Sequence, residues 1–259
     1  MAKFEGKKRI VVKVGTSTLT HATGKTNIAR MAKLVSVLSD LKNEGHEIVL
    51  VSSGAVGIGA AKLGLSSKPE TTQGLQASAA VGQCELMFLY DKFFGEFDII
   101  VSQLLFTYDA LEKEDNKTHL TNTFNQLLEY GSIPIVNEND SVSIVELLNG
   151  DNDCLSATVA ELIEADILIL LTDTDGLYDS NPSENKDAKL IPVVEKITEE
   201  IEAVAGGAGE NGTGGFATKV KAAKIATAAG IPVVVMNGND TTKIYNVLNG
   251  ESVGTKFIP

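Results

Sequence analysis

Six short aliphatic runs, Ile10 to Val14, Glu47 to Val51, Ile99 to Ser102, Ile133 to Val136, Ile167 to Leu171 and Ile231 to Met236, alternate in this chain with longer stretches of helical period. Those stretches, Asn27 to Asn43, Gly74 to Phe94, Thr118 to Tyr130, Cys154 to Glu164 and Thr218 to Ala229, carry apolar residues three and four apart. Runs so continuously apolar read as strands buried on both faces. Their alternation with helices predicts an α/β fold, a three-layer αβα sandwich around a mainly parallel central sheet. Lys189 to Ile197 alternates differently and reads as an extra strand or hairpin.

The chain has 259 residues, 43% of them hydrophobic, enough for a large core and one or two domains; no composition break marks a linker, so residues 1–259 are read as one domain. Lys and Arg number 22 against 34 Asp and Glu, a net charge of −12, which argues against nucleic acid or anionic membrane as the main partner. Any phosphate site must then be locally basic. Two cysteines, Cys84 and Cys154, do not make a disulfide framework or a zinc site and read as buried thiols. No stretch of about 18 apolar residues occurs, and the basic N-terminus precedes no long apolar run, so a cytoplasmic protein is expected.

Chemistry in such a sheet belongs in the loops after the strands. Val136 to Leu155 packs five carboxylates into one strand-to-helix connection, where like charges held close repel and mark a ligand site. After the first strand, Lys13-Val14-Gly15-Thr16-Ser17 offers backbone access, hydroxyls and a point charge for phosphate. Ser52-Ser53-Gly54-Ala55-Val56-Gly57-Ile58-Gly59 leads into a helix whose amino end suits an anion, unless its glycines serve close packing. Thr172 to Pro182 follows the fifth strand, and turn chemistry explains part of it. Gly212 to Lys219 opens a helix with a hydroxyl cap and a lysine one turn inside, a second phosphate clamp. It ends Ala205 to Gly215, six glycines in eleven residues, read as a mobile loop unless a ligand orders it.

Two look-alikes drop out. Gly24-Lys25-Thr26 ends like a Walker A loop but has Leu19 where the first glycine belongs. Gly57 and Gly59 begin a GxGxxG pattern that ends on Lys62.

Taken in order, VVKVGTS, VLVSSGAVGIG, PIVNEND, GDNDCLSA, LLTDTDGLYDSNP and GTGGFATK resemble the amino-acid kinase family, over almost the whole chain from Arg9 to Phe257. The resemblance is strongest to the branch that phosphorylates the γ-carboxylate of L-glutamate with ATP and Mg²⁺, the first step of proline synthesis. It implies a carbamate kinase-like fold, with a glutamate lobe in the first half and a nucleotide lobe from about residue 165. Lys13 and Lys219 would contact the ATP phosphates, with Asp153 orienting both. Ser53, Asp140 and Asn152 would bind glutamate, with Gly54, Ala55 and Asn137 in the same substrate site. Gly15, Thr172 and Asp173, with Thr213, Gly214, Gly215, Phe216, Ala217, Thr218 and Lys219, match nucleotide-binding positions. No protein metal ligand is implied.

The resemblance also implies a kinase-only form without the RNA-binding-like PUA domain, and a homo-oligomer, dimer or tetramer, with the helix from Gly74 as a candidate contact. Proline would be a feedback inhibitor at the glutamate site, and glutamate-5-semialdehyde dehydrogenase a functional partner. A carboxylate is already ionised at pH 7, so no general base is needed, and His21, His46 and His119 are read as structural or solvated. Kinases of acetylglutamate, aspartate, carbamate or UMP share these loops. A catalytically idle nucleotide or amino-acid sensor is the alternative from another class, and the presence of both lysines and Asp153 argues against it; a nicotinamide oxidoreductase fails on the fingerprint.

Overall fold

The computed structural model describes residues 5–21, 23–111, 113–142, 152–180, 182, 185–206 and 216–259. Its strands are β1 (Arg9–Val14), β2 (Glu47–Ser52), β3 (Val101–Phe106), β4 (Ile133–Glu138), β5 (Ile167–Thr172), β6 (Val193–Val194), β7 (Val233–Asn237) and β8 (Thr255–Phe257). Helices are α1 (Thr16–Leu19), α2 (Ile28–Asn43), α3 (Ala55–Lys62), α4 (Thr72–Gly95), α5 (Tyr108–Leu111), α6 (Glu114–Glu129), α7 (Asn152–Leu162), α8 (Glu199–Gly206), α9 (Phe216–Ala228) and α10 (Lys243–Leu248).

One eight-stranded sheet runs β3-β4-β2-β1-β5-β7-β8-β6, its neighbouring strands parallel except for β7 against β8. The chain builds outward from β1 through β2 to β4 and β3, then returns to the other side of β1 with β5. That reversal leaves a crevice at the carboxyl ends of β1, β2 and β5, the usual place for a ligand.

Alternation along the strands decides what enters the crevice. Ile10, Val12, Ile48, Leu50, Ile135, Ile169 and Val234 face one core with Leu34 and Leu38 of α2 and Leu86, Tyr90 and Phe94 of α4. Val11, Val49, Val51, Val136, Leu168, Leu170 and Val235 face the other, with Phe124 of α6, Leu155 of α7 and Val220 and Ala223 of α9. By this parity Lys13, two residues after Val11, points toward α7 and α9. Ser52 and Asn137, in phase with Leu50 and Ile135, point toward α4.

Asn27 caps α2 by accepting the Arg30 amide at 3.1 Å, and Thr71 caps α4 by accepting from Gly74. Strand β3 begins two residues later than the apolar run suggests and extends to Phe106. It is an edge strand paired with β4, and Gln103 and Leu105 face solvent. The short strand β6 lies inside the Lys189 to Ile197 segment, and the bridge from Tyr178 to Leu190 adds a hairpin-like contact. Ala205 and Gly206 end α8; the rest of the glycine-rich segment lies outside the described residues. Gly24-Lys25-Thr26 forms a turn closed by the Thr20–Thr26 bridge. Cys154 is buried as expected, but Cys84 is exposed. It directly follows Gly82 and Gln83, which occupy the buried face of α4, and one more residue turns it outward.

The glycines before and within α3 divide between two roles. Gly54 holds φ at +110° at the amino end of the helix, a conformation L side chains avoid. Gly59 instead packs against α4: a Cβ there would overlap the Ser78 carbonyl oxygen, and one on Gly82 would overlap that of Ala55. Gly82→Ala must force two backbones apart. It is expected to destabilise the protein by about 3 kcal/mol and to lower the melting temperature by roughly 6–12 °C in thermal unfolding; an unchanged melting temperature would contradict the close crossing.

Candidate active site

At the carboxyl end of β1, a buried Lys13 meets Asp153 in the first turn of α7, Nζ to Oδ1 at 2.8 Å. Lys219, in the first turn of α9, reaches the other oxygen, Nζ to Oδ2 at 3.2 Å, and Thr218 Oγ1 donates to the same oxygen at 2.7 Å. All three charged side chains are at least nine-tenths buried. Burial by itself would raise the Asp153 carboxyl, but Lys13, Lys219 and the Thr218 hydroxyl outweigh it and hold it at about 2. One carboxylate thus fixes two ammonium groups side by side. Two lysines against one acid leave the cluster one positive charge in excess, inside a chain of net charge −12.

A second group of side chains sits at the carboxyl ends of β2 and β4, reached by Asn152 from the start of α7. Asn152 Nδ2 donates to Ser53 Oγ at 2.9 Å and to Asn137 Oδ1 at 2.8 Å, and Asn137 Nδ2 donates to Gln83 Oε1 at 3.1 Å. Asn152 and Asn137 are sealed from solvent, whereas Ser53 is half-buried. Gly54 and Ala55 follow Ser53 at the amino end of α3. Asp140, two residues beyond β4, is buried and lies near Glu138; burial first, then the Glu138 charge, raise its carboxyl to about 6, with Lys68 opposing.

The β5 loop lies next to the lysine pair. Thr172 Oγ1 donates to Asp173 Oδ1 at 3.1 Å, and the Gly238 amide donates to the Thr172 carbonyl at 2.7 Å. Gly15 caps α1, and Phe216 and Ala217 open α9. Thr213, Gly214 and Gly215 lie outside the described residues, as do Asp151 and residues 143–150 of the acidic connection. The structure therefore gathers Lys13, Asp153, Thr218 and Lys219 in one cluster and Ser53, Asn137 and Asn152 in another.

Two residues escaped the sequence reading. Asn237, the last residue of β7, donates to Asp175 Oδ1 at 3.0 Å and bridges two loops; a polar residue closing the apolar run at Met236 is the signal for it. Gln83 follows the buried stripe Leu75, Ala79, Gly82, Leu86, and a polar side chain on that stripe is its signal. His46 accepts the Lys8 amide at the amino end of β1, the opposite end of the sheet, and His21 and His119 are exposed. A cavity of about 630 Å³ also opens at that opposite end, but its Lys8 and Arg9 are already paired with Asp166 and Glu47. Among the described residues, no cluster of three or more His, Cys, Asp or Glu side chains could hold a metal ion. No described helix is long and apolar enough to cross a membrane.

The amino acid kinase family profile matches residues 8–237, spanning β1 through β7 and every element that carries the cluster. The chain belongs to the amino acid kinase family. Within it, the similarity runs to glutamate 5-kinases. The chain is 56% identical over 256 residues to that of Clostridium perfringens, covering 97% of this chain and 95% of the relative. It is 53% identical over 253 residues to that of Moorella thermoacetica, covering 97% of this chain and 67% of the relative. Among solved structures, UMP kinase from Bacillus anthracis superposes with a TM-score of 0.63 over 98% of this chain and 97% of the other. At 17% identity that likeness concerns the fold.

Proposed function

We propose that this chain transfers the γ-phosphoryl group of ATP to the γ-carboxylate of L-glutamate, forming γ-glutamyl 5-phosphate, the first step of proline synthesis. The observation that carries the reading is the buried Lys13–Asp153–Lys219 cluster, set at the crevice of a chain about half identical to glutamate 5-kinases over nearly its full length.

A carboxylate with an ordinary pKa of about 4.3 is ionised at neutral pH and attacks phosphorus without a general base. The bond from its oxygen to the γ-phosphorus forms as the bond from that phosphorus to the bridging oxygen breaks, and ADP leaves. Two anions must then meet in line while charge spreads over the transferring oxygens. In this reading Lys13 and Lys219 supply the neutralising charge, and Asp153 holds their ammonium groups at fixed separation before substrate arrives, so little reorganisation is left for the transition state. Thr172 and Asp173, with Gly15 and the segment from Thr213 to Lys219, form the nucleotide side. Ser53, Gly54, Ala55, Asn137, Asp140 and Asn152 form the glutamate side. Both Asp153 oxygens are taken by lysines, so among the described residues the cluster offers Mg²⁺ no cage; an ion that dehydrates reluctantly would ride on the phosphates.

Asp140 gives the reading a pH signature. Its carboxyl, raised to about 6, must be ionised to hold the substrate ammonium. Below pH 6 binding has to expel a proton, so the glutamate KM is expected to rise about fivefold between pH 6 and pH 5, while the substrate carboxylate stays mostly ionised. Asp140→Asn should raise KM throughout and remove that step. A glutamate KM flat over this range would reject the role.

The same reading includes a cytoplasmic homo-oligomer, proline competing at the glutamate site and functional coupling to glutamate-5-semialdehyde dehydrogenase. The test of substrate class is ADP release with L-glutamate, L-aspartate, N-acetylglutamate and UMP offered separately. Release with glutamate alone is expected; release with another acceptor and none with glutamate would overturn the proposal.

A further inference from the structure

We infer that Gln83, on α4, is a positioning residue that fixes Ser53 as a hydrogen-bond donor toward a carboxylate of the substrate. The identity of that carboxylate rests on the glutamate reading above. Four side chains from separate parts of the fold stand in line: Gln83 on α4, Asn137 on β4, Asn152 on α7 and Ser53 after β2. Asn137 Nδ2 donates to Gln83 Oε1 at 3.1 Å, Asn152 Nδ2 donates to Asn137 Oδ1 at 2.8 Å, and the same nitrogen donates to Ser53 Oγ at 2.9 Å. Asn152 is the donor on both sides: its amide nitrogen gives one proton toward Asn137, which donates on to Gln83, and the other toward Ser53.

That arrangement determines what the substrate meets. Asn152 spends both amide protons, so Ser53 Oγ accepts from behind, and its one hydroxyl proton is left for the open side. Ser53 is the half-buried end of the line; Asn152, Asn137 and Gln83 are 0%, 2% and 9% exposed. The buried amides thus deliver a single oriented O–H to the crevice. Such a donor suits a carboxylate, and hydrogen bonds to charged groups are the stronger kind.

A line of amides can run either way. Reversed, Asn152 Oδ1 would accept the Ser53 hydroxyl proton, and Ser53 would turn lone pairs toward the substrate, repelling an anion. Among the described residues Gln83 Nε2, at the far end of the line, and Asn152 Oδ1, on its inner amide, are buried without a hydrogen-bond partner, so nothing beyond the line fixes which way these amides face. Its direction depends on Gln83 offering an oxygen to Asn137. Parity explains why Gln83 is the one to offer it: Asn137 is in phase with Ile133 and Ile135, which face the core containing α4.

The test compares Gln83→Met, which keeps the shape and removes the acceptor, with Gln83→Glu, which keeps an acceptor oxygen, each alone and with Ser53→Ala. Steady-state constants for glutamate and ATP and the melting temperature are measured on the full chain. Gln83→Met is expected to raise the glutamate KM about tenfold with the ATP KM unchanged, and Gln83→Glu to stay near the parent value. In the Ser53→Ala background Gln83→Met should have no further effect, because the hydroxyl it orients is gone. The inference is overturned if Gln83→Met leaves the glutamate KM unchanged, if its effect adds fully to that of Ser53→Ala, or if Ser53→Ala leaves that KM unaltered. Should the methionine variant not fold, Gln83→Leu carries the same comparison. Failure of the glutamate reading itself shows separately, as absent glutamate turnover by the unaltered protein.

Discussion

Asp153→Asn is expected to lower kcat about a thousandfold and to destabilise the protein by roughly 3–5 kcal/mol. The two effects share one cause. Lys13 and Lys219 are buried cations held by the same carboxylate, and asparagine leaves two desolvated ammonium groups facing each other without a counter-charge. They would splay apart or lose a proton, and the preorganised charge would go with them. The pH dependence is specific. Asp153 titrates at about 2 in the folded protein against 3.8 ordinarily, so its stabilisation is fully present above about pH 4 and is lost as the pH falls toward 2. Subtracting the melting temperatures of Asp153→Asn from those of the parent should give a gap that narrows from pH 4 to pH 2. A gap that stays constant across that window, or a variant with parental kcat, would contradict the role given to this carboxylate.

Lys13→Ala and Lys219→Ala are each expected to lower kcat by about a thousandfold while changing the glutamate KM by no more than about threefold. The reason is that charge on the transferring phosphoryl group peaks in the transition state, whereas the proposed reading puts glutamate against Ser53 and Asp140, away from the lysines. Each alanine variant leaves Asp153 with one lysine, so folding should suffer less than with Asp153→Asn. Lys219→Arg is not expected to restore activity, because a planar guanidinium replaces the compact point charge seated on one carboxylate oxygen. Loss confined to KM in both alanine variants would place the lysines in substrate binding and not in catalysis.

How much of this could be read from the sequence follows from the range of the interactions involved. Strands β1, β2, β4, β5 and β7 were legible because burial on both faces makes continuous apolar runs. The edge strand β3, half in solvent, was displaced in the reading, and β8 and α10, three and six residues long, are too short to show a period. Lys13 was conspicuous as a charge inside an apolar strand. That its partner would be Asp153, 140 positions away and on another layer, was available only from the family resemblance; the parity that points Lys13 at α7 and α9 appears once the register is known. Gln83 left only a faint mark, a polar side chain on an apolar helix stripe, and its use shows once Asn137 is found facing it. The exposure of Cys84 shows the converse, since a helix with broadly apolar surroundings hides a single turn of phase from a composition-based reading.

The most direct test of the central claim is to run the full chain with ATP, Mg²⁺ and L-glutamate in the presence of hydroxylamine, which converts an acyl phosphate to a coloured hydroxamate. Carboxylate phosphorylation predicts hydroxamate that depends on both ATP and glutamate, matches ADP release and is absent with aspartate or N-acetylglutamate. ATP binding with no hydroxamate from glutamate, or ADP release with none trapped, would contradict it.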